Sequence, residues 1–371
     1  MSTAIRDPWT PTSGYRPGQL PNQERLRRRF TRWTLGMSVL NVTLSVGLVF
    51  LLTELSEDWW FSGALIYIPQ TPLLIPSICL MFCSLVWHMR SMLLNVTSFG
   101  LILFCLCGVR FSMKPLNEVV DSPQNVTVVT CNVQDFQPNF GKVLREIARV
   151  KPDIIALQEA FRPPQLLFDS LEGWHWHHDH EFWVGSRWPL RAVGMNYTRP
   201  YDRPTVLKVE IDAPSGPLLL SSVHLMTARR GLTDLSVGSM LSGKGPASVD
   251  NHSFLRFEEA AQSREFVASS DASLPHIVVG DFNMPTTSNI FRENFGDLTN
   301  AFDEAGIGFG YTAPCRPVRF WLPRVPWLRI DHILSSHHWE AVRCKTGEFN
   351  GSNHRLVSAV LKLRPQNSSP P

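Results

Sequence analysis

Hydrophobic and polar positions divide this chain into two unlike parts. Residues 33–55 read WTLGMSVLNVTLSVGLVFLLTEL and carry no charge before Glu54. A second apolar stretch runs from about Ser62 to Trp87, and a third from about Met92 to Val109. A helix needs about 20 apolar residues to cross a hydrocarbon core, so three such runs predict three transmembrane helices over 33–110. The second run holds Pro69, Pro72 and Pro76, which would break a helix in water. Inside a membrane bundle, neighbouring helices can satisfy the freed backbone groups. A cleaved signal peptide fits poorly, because the first run starts late, is too long and is followed by two more.

From about Gln124 the pattern changes. NVTVVTCNV is β-branched and bounded by polar residues, which predicts a buried strand. NFGKVLREIARVKP has apolar residues at helical spacing and stops at a proline. DIIALQEA, PLLLSSVHLM, HIVVGDFNMP, LRIDHILSS and LVSAVLKL read as further strands, and FLRFEEAAQSREFVASS as a helix. Thr227 to Ser253 shows no clear period and reads as a long loop. Strands interleaved with helices predict one α/β layered domain over 125–364, long enough for a single large core. Residues 111–124 are then a linker and 365–371, ending in Ser and Pro, a disordered tail.

Composition sharpens this only in part. Hydrophobic residues are 44% and charged residues 18% of the 371, which excludes a disordered chain and a polybasic tail. The net charge of +3 hides an asymmetry. Arg25, Arg27, Arg28, Arg29 and Arg32 crowd the segment before the first run, whereas the first loop carries Glu54, Glu57 and Asp58. Positive residues stay cytoplasmic, so 1–32 is expected inside and the domain after three crossings outside. Arg110 and Lys114 argue the other way, but the first cluster is larger. Cys79, Cys83, Cys105 and Cys107 lie in the apolar runs, and Cys131, Cys315 and Cys344 make neither a disulfide framework nor a C-x-x-C metal motif.

The chemistry sits where the strands stop. They end in Asn132, Glu159, His224, Asp281 with Asn283, Asp331, and the triplet Ser352-Asn353-His354. A core strand needs none of these, and strand ends held by a rigid sheet are where reacting groups usually sit. Carboxylates with carboxamides make a hard, oxygen-rich set suited to Mg²⁺ or Mn²⁺, whereas zinc would draw more His or Cys. Histidines beside them can move protons at neutral pH. The reaction that these groups suit best is hydrolysis of a phosphate ester.

CNVQDF, DIIALQEA, SSVHL, VVGDFNMP, RIDHIL and SNHR occur in this order. Together they resemble the signature blocks of the endonuclease/exonuclease/phosphatase superfamily, with its deoxyribonuclease-I-like fold, over about Asn125 to Leu363. The resemblance implies a four-layer α/β/β/α sandwich, here preceded by transmembrane helices, with the site at one rim. It implies that Glu159 binds the metal with Asn132 close by. Asp281 and Asn283 would orient or activate water, and His354 would pair with Asp331 and contact the phosphate. His224 would donate to the phosphate or the leaving group. Asp281 and the His354–Asp331 pair both remain candidates for the general base. Two positions depart from the pattern. Asn353 replaces the aspartate of the usual Ser-Asp-His, so as a ligand it brings an oxygen without charge. Gln134 stands where some members have an aspartate, and Asp135, one residue on, is expected to face the other way.

Weaker signals remain. WHWHHDHEFW at 174–183 reads as a half-exposed strand rather than a transition-metal site. GSRWPL after it resembles a recurrent family segment, which makes Arg187 a candidate substrate contact. Arg316, Arg319, Arg324 and Arg329 lie among Phe320, Trp321 and Trp327, a mixture that suits a nucleic-acid strand, a lipid headgroup layer or a packed loop. Arg229 and Arg230 follow the His224 block. The expectation is a membrane-anchored, metal-dependent phosphodiesterase, nuclease-like in substrate. The rivals are a phospholipid or sphingomyelin phosphodiesterase and a catalytically weakened binding module.

Overall fold

The computed structural model describes residues 22–114, 124–136, 140–199, 201–316, 322 and 325–365. The first part of the basic N-terminal segment, most of the linker, the tail after 365, and Arg319, Phe320, Trp321 and Arg324 lie outside the described residues.

The N-terminal part is helical. Helix α1 (Asn22–Phe50) continues through wider and tighter turns to Asp58, and is followed by α2 (Trp60–Leu65), α3 (Ile75–Trp87) and α4 (Met92–Leu101). The second apolar stretch is therefore not the single helix that its composition predicts. It breaks between Ile66 and Gln70, around Pro69. Pro72 and Pro76 instead start the turn Thr71–Leu74 and helix α3, at positions whose N–H needs no partner. By length and composition, Asn22–Asp58 and Met89–Leu106 can each cross a bilayer, while Thr71–Trp87 is shorter.

Small polar residues line the seam between these helices. Thr34, Ser38, Ser77, Ser84, Ser91, Asn95 and Ser98 are fully buried. Asn41 Nδ2 donates to Ser98 at 2.9 Å and Ser77 at 3.1 Å, and Asn95 Nδ2 donates to Ser38 at 2.9 Å and Ser84 at 3.0 Å. The outward positions are Val39, Leu44, Val46, Phe82, Leu85, Val86 and Leu93.

Two six-stranded sheets form the second part. In chain order the elements are β1 (Asn125–Asn132), α5 (Phe140–Val150), β2 (Ile154–Gln158), β3 (His175–Asp179), β4 (Phe182–Ser186), β5 (Leu190–Thr198), β6 (Arg203–Ala213), β7 (Gly216–His224), α6 (Lys244–Ala268), β8 (His276–Asp281), α7 (Asn289–Phe295), β9 (Thr299–Asn300), α8 (Ala301–Ala305), β10 (Asp331–Ser335), β11 (Trp339–Thr346) and β12 (Val357–Leu363). One sheet runs β11-β12-β1-β2-β4-β3, the other β9-β10-β8-β7-β6-β5. Alternation along each strand decides what lies where. On β1, Val126 and Val128 face the core between the sheets, while Val129 and Cys131 face α5 with its Val143 and Ile147. Helix α6 covers the other sheet, laying Ala260 and Val267 against Val206, Val223 and Val278. The result is a helix–sheet–sheet–helix sandwich, the layering that the resemblance implies.

Three expectations need correction. Helix α6 starts at Lys244, inside the stretch read as a loop, and short helices Arg229–Thr233 and Val237–Leu241 precede it. Up to Ser253 its buried positions are Gly245, Val249 and Ser253, so no apolar stripe announces that part, whereas the remainder is the helix read from FLRFEEAAQSREFVASS. WHWHHDHEFW is a hairpin, β3 and β4, turning at His180 with φ +51°, rather than one strand. Asp135 lies in a left-handed turn, φ +52°, not on a strand.

Register builds the rim. Strands β1 and β2 are parallel with Asn132 beside Gln158, and β7 and β8 are parallel with His224 beside Asp281. Strand β10 runs antiparallel to β8, placing Asp331 beside Asp281. Four strand ends and one strand start therefore emerge at one edge of the sandwich. Gly280 makes this approach feasible: its φ is +139°, and a Cβ there would lie 1.9 Å from the Val223 carbonyl oxygen.

Candidate active site

Asp281 stands at the centre. It is 1% exposed, and its Oδ1 accepts the backbone N–H of Asn283 at 2.9 Å. Its Oδ2 accepts from Asn132 Nδ2 at 3.0 Å. The same Asn132 nitrogen donates to Glu159 Oε1 at 2.8 Å. Two imidazoles aim their Nε2 atoms at Asp281 Oδ2, His354 at 3.7 Å and His224 at 3.8 Å. Each is held from behind by a carboxylate: His354 Nδ1 lies 2.9 Å from Asp331 Oδ2, and His224 Nδ1 lies 2.9 Å from Glu181 Oε1. Asp281 is thus flanked by two carboxylate–histidine pairs, one from each side of the rim.

Backbone geometry fixes these groups. Glu159 and Asn283 both have positive φ, +50° and +53°, in the left-handed region that non-glycine residues hold only when their surroundings dictate it. Asn283 is tied down by its Nδ2, which donates to the Leu225 carbonyl at 2.8 Å. Asp135 braces the loop after Glu159, accepting the Arg162 N–H at 2.8 Å. Ser352 donates to the Asn132 carbonyl at 2.7 Å and so joins the His354 loop to β1.

Charge is shared unevenly. Burial alone would favour a neutral His354, but Asp331 and Asp281 outweigh it and push the ring up to about 9. It is an imidazolium at neutral pH. His224 is also raised, burial again opposing and Glu181 prevailing. Glu181 moves the opposite way, below the usual carboxylate range, because His224 and Arg203 overcome its burial. Asp281 is raised by its burial, with the histidines partly offsetting it.

The donor set suits a hard cation. Glu159 Oε1 and Asp281 Oδ2 converge on the Asn132 Nδ2, and turning that amide would bring a third oxygen to the same point at the cost of the bond from the Gln134 N–H. Asp281, Asp331 and His354 also come within 4.8 Å of one another, but Asp331 and His354 already satisfy each other there.

Asn132, Glu159, His224, Asp281, Asn283, Asn353 and His354 line one cleft of about 580 Å³, and Asp331 sits behind His354. Asn353 Oδ1 accepts the Arg316 N–H at 2.9 Å, which commits the oxygen through which an amide would ligate. Arg187 is a correction. It follows Ser186, which pairs with Ile154 at the start of β2, so it lies at the opposite rim. There its Nε donates to the Pro152 carbonyl at 2.9 Å. Trp327 and Arg329 are buried, Trp327 Nε1 donating to the Tyr67 carbonyl at 3.0 Å and Arg329 meeting Asp303 at 2.8 Å, which is the packed-loop reading for those two residues.

Several residues lining the cleft or backing its side chains carry no signal in the sequence. Glu181 lies in the β3–β4 turn, Arg203 opens β6, and Tyr201 precedes it. Arg203 bridges Glu181 at 3.5 Å and Glu259 at 3.4 Å, and donates to the His224 carbonyl at 3.1 Å. Arg229 and Arg230 do reach the cleft wall, with Arg230 over the Tyr201 ring at 5.5 Å.

Residues 129–354, more than half of the chain, match the Endonuclease/Exonuclease/phosphatase family. Among solved structures the chain is similar to a family protein from Leptotrichia buccalis C-1013-b, at 16% identity over 64% of this chain and 100% of that one, TM-score 0.48. A family protein from Bacteroides thetaiotaomicron is 14% identical over 65% and 98%, TM-score 0.47. The 3′ phosphatase NExo from Neisseria, bound to a product DNA hairpin, is 17% identical over 65% and 100%, TM-score 0.45. No curated protein sequence matches the chain.

Proposed function

Since this chain belongs to the endonuclease/exonuclease/phosphatase family, whose members hydrolyse phosphate esters, we propose that it is a membrane-anchored phosphodiesterase, nuclease-like in substrate, working with Mg²⁺ or Mn²⁺. The observation that carries this reading is the set around Asp281: a carboxylate, an amide and two carboxylate-backed histidines facing one cleft.

Glu159 and Asn132 would hold the ion, which supplies charge neutralisation for the phosphate and the leaving oxygen. Asp281 acts as the general base. Its Oδ1 is held by the Asn283 N–H; Oδ2, which faces both imidazoles and loses the Asn132 N–H bond when that amide turns its oxygen to the ion, is the oxygen that takes the proton from the attacking water. His354 already carries its proton and donates from Nε2 to a phosphate oxygen, while Asp331 fixes the ring. His224, fixed by Glu181, donates to the phosphate or protonates the leaving oxygen. Arg229 and Arg230 supply positive charge for the rest of a polyanion or headgroup.

The bundle supports anchoring because Ser, Thr and Asn fill the seam between α1, α3 and α4 while Leu, Val and Phe cover its outside, as hydrocarbon solvent allows; a buried apolar cluster of Leu52, Ile66, Ile102 and Leu106 lies only at the end beside the α/β domain. Its two ends differ. Thr31 donates to the Trp87 carbonyl at 3.0 Å, so the arginine-rich end of α1 lies beside His88 and Arg90. The acidic first loop lies against the catalytic domain. Three crossings put the basic end in the cytoplasm and the domain outside. Protease protection of sealed vesicles checks this: an epitope before Arg25 should be protected and the domain digested.

A lipid phosphodiester is the second reading, favoured by the contact of the first loop with Ser288 and Asn289, a few residues beyond Asp281. Full-length protein in detergent should cleave bis(4-nitrophenyl) phosphate with Mg²⁺ or Mn²⁺ and stop with EDTA. Parallel assays on plasmid DNA and phospholipid vesicles separate the two substrate classes. Turnover that survives Glu159→Ala combined with Asp281→Ala rejects the site.

A further inference from the structure

We propose that Glu57, in the loop that ends α1, is a positioning residue for the active site: acting through Arg256, it braces the two loops that follow His224 and Asp281, so that the helical bundle completes the catalytic domain.

A carboxylate beside an apolar bundle would ordinarily point to water. The Glu57 side chain is instead 2% exposed, with both oxygens engaged. Oε1 accepts from Ser288 Oγ at 2.7 Å and Tyr67 OH at 3.0 Å. Oε2 accepts from Ser56 Oγ at 2.8 Å and the Asn289 N–H at 3.1 Å. Arg256, also 2% exposed, brings Nη1 to 3.6 Å of Oε1 and donates from Nη2 to the Tyr67 hydroxyl, its guanidinium lying over that ring at 5.2 Å. A buried guanidinium needs such partners, and without them it would move toward water or other acceptors.

What Arg256 holds on its other side gives the pair its role. Its Nε donates to the Met226 carbonyl at 3.1 Å and its Nη2 to the Asn283 carbonyl at 3.2 Å. Met226 lies two residues past His224, and the Asn283 N–H is the donor that orients Asp281. A second line of contacts runs from the Met226 N–H to Glu259, then Arg203, then Glu181, and ends at His224 Nδ1. Glu57, Arg256 and Glu259 stand behind the cleft, and the lines reach its wall at Met226, Asn283, Arg203 and His224. The contacts span about 230 positions of the chain, as with Glu57 and Asn289 (232 apart), so they join the two parts of the molecule.

This inference rests on the phosphodiesterase reading for its kinetics and on geometry alone for its structural arm. The test compares full-length wild type with Glu57→Ala, Glu57→Asp and the milder Tyr67→Phe in detergent, by bis(4-nitrophenyl) phosphate turnover and by hydrogen exchange. Glu57→Ala should lower kcat about 10- to 100-fold with KM within about twofold, and Glu57→Asp should recover part of it. Exchange should quicken in 225–227 and 282–284 while 128–131 and 154–157 stay protected. Unchanged exchange in those two loops overturns the proposal. So does an equal loss of protection through both sheets, which would mark a folding role only. If wild type cleaves no phosphodiester, the functional reading fails, and the exchange measurement alone decides the coupling. Should Glu57→Ala not fold, exchange of the same two loops in Tyr67→Phe decides the coupling, with a smaller change expected.

Discussion

The seam of the helical bundle and the middle of the β-sandwich are packed by opposite rules. Where α1, α3 and α4 meet, the fully buried side chains are Ser, Thr and Asn joined by hydrogen bonds and most large apolar side chains point away, while an apolar cluster of Leu52, Ile66, Ile102 and Leu106 closes the end beside the α/β domain. Between the sheets the contacts are mainly Val128, Ile154, Val209, Leu220, Ile277 and Val279, and polar groups enter only toward the rim, where Gln158 donates to Ser222 of the facing sheet at 2.9 Å. In water, burying apolar area drives packing. In hydrocarbon that force vanishes, and small residues with polar links hold helices together instead. Helix α6 belongs to neither case. It lies in the α/β domain yet buries Arg256, Glu259 and Ser263, because its inner face holds the loops of the site.

The largest effect is expected where the sandwich departs from its own rule. The buried Asp281 should serve chemistry and not stability. Asp281→Asn should lower turnover by about 10²–10⁴-fold, while the melting temperature stays level or rises, since burial already disfavours its charge. A loss of activity matched by a loss of stability would count against that role. Next, Leu220→Ala in the sandwich core should cost about 2–5 kcal/mol by denaturant unfolding.

Acid should act on the sandwich. Burial and the nearby Arg329 depress His332 to about 4, and burial with Lys208 depresses His276 to about 3. The unfolded chain takes up these protons first. The stability is therefore complete above about pH 6.5 and falls as pH drops toward 4, by about 1.4 kcal/mol per unit per histidine. His332→Gln should flatten that slope in melts between pH 7 and 5. His354 works in the other direction: its stabilisation is complete below about 6.5 and is lost as pH rises through about 9.

Smaller changes are expected in the bundle. Asn95→Ala removes bonds to Ser38 and Ser84 and should cost about 0.6–2 kcal/mol in a detergent melt. Leu93→Ala, at a position 73% exposed, should change stability by less than about 0.5 kcal/mol, although the same substitution at Leu220 is severe. Equal costs at Leu93 and Leu220 would mean that both parts are packed by one rule after all.

Local patterns were enough to divide the chain, to find the central strands and to pick out the polar residues at their ends. Each is a signal carried within a few positions: an uncharged run, a β-branched segment, or a carboxylate where a strand needs none. Asn132, Glu159, His224, Asp281, Asp331 and His354 were legible for that reason. The remainder depended on how distant segments meet. Arg187 lies at the far rim, because a resemblance of a short segment does not say at which end of the sheet it emerges. The second apolar run broke at Pro69, which composition alone could not place in a turn. Glu181, Arg203, Arg256 and Glu57 became parts of one buried network. A charged residue looks solvent-facing in sequence, and only the fold brings its partner from a distant segment, as Arg256 to Glu57, into the same buried space.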